Sequence, residues 1–380
     1  MRDYMLNKNY LALYINSATM QFASALVLTF VGVNLFTQGL PLYLVFIYFG
    51  AEFIVRSILS PLSATAVSRL GIKNTIIVSN VLLVLYFLTL SLFSIYPLIG
   101  FFSFIFHAAS RGLYHPAKHY LQAIFIEKNT RGRFLTLEIA INSISAALAI
   151  GFATISVTIW GSFLPVALLV SAMILIASFS LIKLLDSVHS KISLTYGQVM
   201  KHVLSRTFRL DAFAFTGFAG SMGFNNVVVA LLVFFVVKSL ELFGFIIVCV
   251  FFIETLLTLL YGKLIDKNRY ESNKLASTLQ VISFGTFFAA ATPLGVTLIK
   301  TAYGVVWNAY DSSFTSRFHD KMKKHGFIYA CSKEVALCFG TGLYCLTLGS
   351  VAYLWNDLVF VVSLLLAALG VLLAWKTFRD

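Results

Sequence analysis

Charge is what this sequence has least of: 11% of its 380 residues are Asp, Glu, Lys or Arg. A soluble domain carries about 25% charged residues, so a chain this poor in charge has too little polar surface to cover itself in water. Hydrophobic residues make up 59% of the chain, and its mean hydropathy is +0.89. The composition therefore excludes an ordinary soluble domain and indicates a protein embedded in a membrane.

The long apolar runs also lack the strict alternation of membrane β-strands. Each is long enough for a transmembrane helix, which needs roughly 20 residues, and a helix pairs its own backbone groups in lipid. The first run is too long for a signal-peptide core and no small-residue cleavage site follows it, so it is interpreted as a retained helix. The sequence thus predicts twelve spans, over residues 10–37, 41–67, 75–95, 97–121, 132–158, 162–185, 209–237, 240–264, 275–291, 293–316, 327–353 and 356–376.

The chain has four cysteines and no sign of a disulfide framework. Cys331, Cys338 and Cys345 recur every seven residues on one predicted helix. Neighbours in that series lie about 10 Å apart, too far for a disulfide. We interpret them as small buried apolar residues; a thiolate metal site that includes Cys249 is the alternative.

Positive charge is abundant but confined to one side. With the N-terminus placed in the cytoplasm, every Lys and Arg falls at a cytoplasmic loop or helix end, apart from Arg56, Arg111, Lys238 and Lys300. Lys238 and Lys300 fall on the outer side, and the two arginines lie within spans. This is the positive-inside pattern, which accounts for the net charge of +13 without a nucleic-acid partner. It predicts a multi-pass protein of the inner or plasma membrane with both termini cytoplasmic.

An internal repeat divides the chain in two. The longest polar interruption, residues 186–208, predicts a cytoplasmic linker between residues 1–185 and 209–380. The loop after span 2, residues 64–73, aligns with the loop after span 8, residues 262–269, at an offset of 198. The prediction is therefore an N-terminal and a C-terminal six-helix bundle.

Two further segments support the repeat. The end of span 4 at Phe125–Lys128 aligns with the end of span 10 at Phe318–Lys321, at an offset of 193. The start of span 5 at Glu138–Ala140 aligns with span 11 at Glu334–Ala336, at an offset of 196. Small drifts in offset are what loop insertions produce, so the chain is interpreted as a duplicated six-helix unit.

These loops resemble a motif of the major facilitator superfamily, Gly-x-x-x-Asp-(Arg/Lys)-x-Gly-(Arg/Lys). The loop after span 2 keeps Arg69, Gly71 and Lys73 but has Ala64 and Ser68 at the glycine and aspartate positions. The loop after span 8 keeps Gly262, Asp266 and Lys267. The resemblance covers the whole chain and implies an all-α membrane protein with twelve transmembrane helices in two pseudo-symmetric six-helix bundles. It also implies a monomer that contacts lipid, a solute and a coupling ion, uses no cofactor, and closes its cytoplasmic face through Asp266, Lys267 and Arg69.

Charged residues inside the spans are unevenly distributed. The interiors of spans 3, 6, 9 and 12 contain none, whereas nearly all of them fall in spans 2, 4, 5, 8, 10 and 11. A charge in the hydrocarbon core costs about 2.5–3.5 kcal/mol by insertion scales, so these residues are expected to avoid lipid. In the superfamily, spans 3, 6, 9 and 12 face lipid and the other spans surround a central cavity.

Span 4 carries a basic and aromatic stripe. At 100° per residue, His107, Arg111, Tyr114 and Lys118 lie within about 60° of one another, and His115 lies beside them. Such a stripe cannot face lipid. We predict that Arg111, with His107, Tyr114 and His115, binds substrate or gates a proton; the alternative is a structural pair with a fixed carboxylate.

Spans 2 and 8 carry charges at equivalent depth. Glu52 and Arg56 have the i, i+4 spacing at which the two charges can neutralise each other, and Arg56 is a candidate substrate contact. Glu254, at the position equivalent to Arg56, has no basic neighbour one turn away. Glu254 is therefore the first candidate for proton coupling and Glu52 the second, with an interhelix salt bridge as the alternative for Glu254.

The remaining polar residues fall into two groups. Charged residues near the cytoplasmic ends are expected to form gate-closing salt bridges or to contact substrate: Lys118, Glu138, Asp311, Lys333 and Glu334. Uncharged residues of spans 1, 5 and 7 are expected to line the cavity or to form helix–helix hydrogen bonds: Asn16, Gln21, Asn142, Asn225 and Asn226.

No Gly-x-x-x-x-Gly-Lys loop is present, which argues against direct ATP drive. Span 5 lacks the Gly-Pro motif of the superfamily's drug/proton antiporters. The sequence therefore predicts a secondary transporter, not an enzyme, that moves a small solute by alternating access with proton coupling, and the basic stripe favours an organic anion or polar metabolite. The alternatives are a drug, lipid or lysolipid exporter of the same fold, a channel, and a membrane-embedded lipid-processing enzyme.

Overall fold

The structure, a computed structural model, describes residues 8–126, 131–184, 192–267 and 269–377. Regular structure within those ranges is helical, with no β-strand, as the composition predicts. Before the linker lie α1 (Lys8–Ala25, continuing through Leu26–Val31 and Gly32–Thr37), α2 (Leu42–Leu59), α3 (Leu62–Leu90), α4 (Phe104–Phe125), α5 (Arg131–Trp160) and α6 (Leu164–Leu184). After it lie α7 (Arg209–Gly223, continuing through Phe224–Val228 and Val229–Val237), α8 (Leu240–Lys267), α9 (Arg269–Thr286), α10 (Pro293–His325), α11 (Phe327–Leu354) and α12 (Val359–Thr377).

We refer to α1–α6 as the N-terminal half and α7–α12 as the C-terminal half. The side of the molecule where α6 finishes and α7 begins is the linker end. Eight helices in the described part of the chain are long and apolar enough to cross a membrane: α1, α2, α3, α5, α7, α8, α11 and α12. The apolar part of α6 is shorter, Leu164–Phe179, and α4, α9 and α10 carry more polar side chains. The protein is a multi-pass membrane protein.

The boundary between α2 and α3 differs from the prediction of spans over 41–67 and 75–95. α2 ends at Leu59, and Pro61, which has no N–H to donate, lies at the start of the next helix. The helical geometry instead breaks inside α3 at Gly71, where φ is 78°. Glycine adopts this left-handed conformation without the steric penalty of a side chain.

The ninth predicted span is also displaced. α9 covers Arg269–Thr286 rather than 275–291. The next helix then starts at Pro293, and the side chain of Thr292 accepts a hydrogen bond from the N–H of Gly295. A proline in the first turn and a threonine cap are typical of a helix start.

α1 and α7 each contain one π-helical segment, at Leu26–Val31 and Phe224–Val228. The two segments begin 198 residues apart, the offset that relates the loops after spans 2 and 8. The segments contact each other across the molecule. The repeat seen in the sequence therefore extends to the backbone, and π-helical turns are frequent at functional sites.

The halves contact each other through α2 with α11 and α5 with α8. Glycine permits the close approach in both pairs. A Cβ on Gly50 of α2 would lie 2.8 Å from a side-chain carbon of Leu346. On α8, a Cβ on Gly244 would lie 2.7 Å from the Cβ of Thr154. Small residues of this kind let membrane helices pack backbone to backbone.

Part of the predicted linker forms a short helix, Tyr196–Val203. It starts with a capping box in which Thr195 and Gln198 satisfy each other's backbone N–H groups. His202 at its end lies 2.8 Å from the hydroxyl of Ser332 on α11, ring Nδ1 to Oγ. Burial lowers the pKa of His202, which favours its neutral form. The linker helix is thus attached to the C-terminal half.

Candidate functional site

A cavity of about 300 Å³ lies between the two halves, the small end of the range for small-molecule sites. Its lining comes from α1, α2, α4 and α5 on one side and α7, α8 and α10 on the other. Among the described residues none of the lining belongs to α3, α6, α9 or α12, which agrees with the charge-free interiors of those spans. The predicted polar residues that line it are Gln21, Arg56, His107, Arg111, His115, Asn142, Asn225, Asn226, Glu254 and Asp311.

Arg111 is a buried cation on the cavity wall, with 2% of its surface exposed. Its Nη2 donates to the hydroxyl of Ser24 at 2.6 Å and to the carbonyl of Met20 at 3.3 Å, both on α1. Its Nε donates to Nε2 of His107 at 3.3 Å. No carboxylate of the described residues lies within ion-pair distance of this guanidinium. The predicted alternative, a direct pair with a fixed carboxylate, is therefore not formed.

His107 lies between Arg111 and Glu52. Because an arginine nitrogen can only donate, His107 Nε2 must accept, which places the ring proton on Nδ1. That nitrogen lies 2.9 Å from Oε1 of Glu52. A ring that accepts from Arg111 is a neutral imidazole, and its Nδ1 lies close to Glu52 without forming a hydrogen bond to it. His107 therefore holds Arg111 in place and separates it from Glu52.

The predicted pair of Glu52 with Arg56 is not formed. Arg56 instead donates to Glu334 on α11, and both side chains are buried. Beside them, the hydroxyl of Ser57 donates to the carbonyl of Val335 at 3.0 Å. Four residues turn a helix by about 40°, enough to direct Glu52 toward α4 and Arg56 toward α11. The Arg56–Glu334 ion pair thus joins the two halves.

Glu254 forms an interhelix salt bridge, which was the alternative interpretation of this residue. Its Oε1 lies 2.7 Å from the ammonium of Lys300 on α10, and both residues are buried. The positive-inside pattern assigns Lys300 to the outer side, and the structure buries its side chain between helices. α10 already starts at Pro293, so Lys300 lies within the helix, and its ammonium also faces the ring of Phe251 at 5.5 Å.

The repeat is the signal that could have located Lys300. At the offset of 193 it corresponds to His107. Each half then contains one acid–base pair between equivalent helices: Glu52 of α2 with His107 of α4, and Glu254 of α8 with Lys300 of α10. Glu254 is equivalent to Arg56, which lies one helical turn after Glu52, so the two pairs are related but not identical in position.

We expect Gly304→Ala to disrupt the Glu254–Lys300 pair. A Cβ on Gly304 would overlap the carboxyl group of Glu254, so the carboxyl must move. Overpacking of this kind costs about 1–3 kcal/mol, and the thermal unfolding temperature of the purified protein should fall. Gly285→Ala on α9 is the matched control, because nothing lies within 4 Å of its added Cβ. Equal unfolding temperatures for the two variants would contradict the close approach of Glu254 to α10.

Tyr114 points toward α1 and does not line the cavity. Its hydroxyl donates to Oδ1 of Asn16 at 2.8 Å, and Asn16 does not line the cavity either. The pair is a helix–helix hydrogen bond between α4 and α1, the alternative considered for the uncharged polar residues. Asn225 and Asn226 lie on the cavity wall, where the first donates to the second at 3.1 Å.

Lys118 and Glu138 pair within the N-terminal half. The ammonium of Lys118 lies 2.8 Å from Oε1 of Glu138, which also accepts from Ser17 at 2.6 Å. The other carboxylate oxygen of Glu138, Oε2, accepts a hydrogen bond from the side chain of Gln122 at 2.7 Å. The group ties α1, α4 and α5 together and does not cross to the C-terminal half.

Other contacts near the linker end do cross between the halves. Nδ1 of His119 lies 3.3 Å from Nε2 of His319, and its Nε2 lies 3.3 Å from the ammonium of Lys333. His119 and His319 are absent from the predicted site, although both belong to the basic ends of equivalent spans. Together with Arg56–Glu334 they hold α4 against α10 and α2 against α11.

The family loops remain a prediction. Arg69 is exposed and forms no ion pair with any side chain that the structure describes. The side chains of Asp266 and Lys267 lie outside the described residues. The proposed closure through these loops therefore rests on the sequence motif.

Asp311 lies on the cavity wall rather than in an ion pair. Its Oδ1 accepts a hydrogen bond from Thr315 one turn away, at 3.3 Å. It forms no salt bridge within the described part of the chain. Beside it the indole of Trp307 stacks on the ring of Phe218 with centroids 5.6 Å apart, and both rings line the cavity. Trp307 and Phe218 were missed because aromatic residues occur throughout the sequence.

No family model and no curated protein matches the sequence. Solved structures do match its fold. The human organic anion transporter MFSD10 aligns with a TM-score of 0.72 and 10% identity, over 97% of this chain and 99% of that one. The major facilitator superfamily transporter FucP in its outward conformation aligns with a TM-score of 0.67 and 13% identity, over 97% and 99%. A variant of the E. coli fucose:proton symporter FucP aligns at 0.67 and 14%, over 98% and 100%. The chain has the major facilitator superfamily fold.

Proposed function

We propose that this protein is a secondary transporter of a small organic anion or polar metabolite, working by alternating access. The observation that carries the proposal is Arg111, a buried cation that pairs with no carboxylate of the described residues, in a cavity lined by both halves. A buried charge is costly unless it is paired, so an anionic group of a solute would complete this site. In alternating access, two halves rock about such a central site.

The architecture we propose has twelve transmembrane helices in two six-helix halves with both termini in the cytoplasm of the cell. The matching offsets of the loops and of the π-helical segments support two related halves. The proposal of an anionic solute also accords with MFSD10, described as an organic anion transporter, while FucP is described as a fucose:proton symporter. These descriptions belong to proteins of 10–14% identity and support the class of function only.

We propose further that the Glu254–Lys300 pair couples transport to protons. Both groups line the cavity, so a proton can reach them from the same space as the solute. A proton on Glu254 would weaken its attraction to Lys300 across α8 and α10 and change the packing between those helices. The pair is thus a place where proton binding can alter helix contacts.

The test is uptake by purified protein in liposomes. A screen of labelled organic acids, sugars and amino acids under an inward proton gradient should reveal a solute that wild-type protein accumulates. Glu254→Gln keeps the shape of the side chain but cannot ionise. We expect it to lose accumulation driven by the gradient while it retains exchange of solute across the membrane.

Glu241→Gln provides the control, because Glu241 is exposed at the start of the same helix. It should accumulate solute as wild type does. Gradient-driven accumulation by Glu254→Gln at the wild-type level would remove the coupling role. Absence of counterflow for every solute of the screen would argue against transport itself.

A further inference from the structure

Two charges on the cavity wall form no ion pair with any described side chain, and they have opposite signs. Arg111 on α4 is a cation of the N-terminal half, and Asp311 on α10 is a carboxylate of the C-terminal half. Arg111 donates to His107, Ser24 and a backbone carbonyl but to no carboxylate of the described residues. Asp311 accepts one long hydrogen bond from Thr315.

Three buried carboxylates near the cavity form ion pairs with basic side chains at 3.5 Å or less: Glu138 with Lys118, Glu254 with Lys300, and Glu334 with Arg56 and Lys333. A fourth, Glu52, lies 2.9 Å from the neutral ring of His107 and does not line the cavity. This contrast separates Arg111 and Asp311 from the rest. Their charges point into a space that a solute can enter, whereas the engaged pairs hold helices together.

More distant charges compensate the two groups only in part. Lys333 and Lys118 act on Asp311 electrostatically, but neither forms an ion pair with it. Lys118 is held by Glu138, and Lys333 contacts His119 and Glu334. On the other side, Glu52 acts on Arg111 electrostatically but forms no ion pair with it, because the ring of His107 lies between them.

We propose that the transported solute is an extended zwitterion, whose carboxylate pairs with Arg111 and whose ammonium group pairs with Asp311. This inference rests on the proposed function of the cavity. A monoanion would satisfy Arg111 and leave the half-buried Asp311 without an ion-pair partner. A zwitterion satisfies both walls at once and leaves the net charge of the cavity unchanged.

The repeat indicates that the two charges of the solute are well separated. Asp311 corresponds to Lys118 at the offset of 193, seven residues nearer the linker end than Arg111. Seven residues of helix span about 10 Å. An α-amino acid, whose two charges share one carbon, is too short to reach both. The stacked rings of Trp307 and Phe218 beside Asp311 offer apolar surface to the stem of a longer molecule.

Binding of matched probes tests the proposal. The first series is built on the zwitterion ε-aminocaproate. N-acetyl-ε-aminocaproate is its purely anionic derivative, ε-aminocaproamide is its purely cationic derivative, and its isomer L-leucine carries both charges on one carbon. The dipeptide dialanine, its N-acetyl derivative and its amide form a second series. Affinity for detergent-purified protein is measured from the concentration dependence of thermal stabilisation. We expect at least one extended zwitterion to bind about tenfold or more tightly than its own singly charged derivatives and than L-leucine, since each charged contact contributes a factor of about that size.

Asp311→Asn removes the negative charge and retains an oxygen that can accept from Thr315. It should abolish the preference for the zwitterion and leave the affinity for the N-acetyl anion within about twofold of wild type. Asp357→Asn is the control, because Asp357 is exposed outside the cavity. It should keep the wild-type preference.

The proposal is overturned if neither zwitterion binds more tightly than its N-acetyl derivative, or if Asp311→Asn keeps the wild-type preference. If the N-acetyl anion binds tightly and neither zwitterion binds more tightly than it, the proposed organic-anion transporter stands and only the zwitterion is rejected. Failure of the proposed function is a different observation, namely absence of counterflow for every solute in the liposome screen.

Discussion

Arg111→Ala should abolish transport of the anionic solute while the protein still folds. The substitution removes a cation on the cavity wall that pairs with no carboxylate in the part of the chain the structure describes. Hydrogen bonds to charged groups contribute about 1.5–3 kcal/mol each, and arginine can form two with one carboxylate. Loss of both would lower uptake at subsaturating solute by about 10² to 10⁴-fold. The measurement is initial uptake by liposomes with equal amounts of protein.

Two comparisons separate lost binding from lost structure. Arg111→Lys keeps the charge but cannot form a planar bidentate contact, so its uptake should lie between wild type and the alanine variant. Arg209→Ala removes an exposed arginine at the start of α7, where it lies 6.0 Å from the ring of Phe213, and should leave uptake unchanged. Arg111→Ala that unfolds near the wild-type temperature and transports at the wild-type rate would exclude Arg111 from the binding site.

Much of this fold follows from the sequence. The shortage of charge requires a membrane environment, and the apolar runs locate the helices because lipid forces each backbone group to pair within its own segment. The repeat identifies equivalent positions, which is why the π-helical segments of α1 and α7 start at the offset found in the loops. Helix ends are less predictable. The turn at Gly71 depends on one backbone angle, which an apolar pattern does not encode.

The partners of the charged residues could not be predicted in the same way. Helical periodicity gives the direction of a side chain but not the helix that faces it. Glu52 and Arg56 have the spacing of a local pair, yet each finds a better partner on another helix. The partner of Lys300 was unpredictable for the same reason. The sequence does not specify whether a lysine near a helix end extends outward or toward a buried carboxylate.

The candidate site is therefore only partly predictable. A basic stripe cannot face lipid and so indicates a lining helix, and Arg111, His107 and His115 of α4 lie on the cavity wall. The sequence predicts that the whole stripe faces one functional space, whereas Tyr114 and Lys118 point to neighbouring helices. A difference of a few tens of degrees on the helix surface decides between the two roles.

Glu334→Ala should open the contact between the halves at α2 and α11. Arg56 would remain buried without its carboxylate, and its Nε has no hydrogen-bond partner in the described structure. Removal of one member of a buried ion pair costs about 3–5 kcal/mol. Conformations in which Arg56 reaches water would then gain population. Hydrogen–deuterium exchange of peptides from α2 and α11 should accelerate by about 10²-fold or more.

Removal of both charges identifies the cause. Arg56→Leu combined with Glu334→Leu replaces the pair by apolar side chains, which is often neutral or stabilising, so exchange should return toward the wild-type rate. Glu241→Ala, which removes an exposed carboxylate, should exchange as wild type does. If the double variant exchanged as fast as Glu334→Ala, the effect would come from lost packing around Glu334. The Arg56–Glu334 pair would then be a local contact and not the charge that keeps the two halves together.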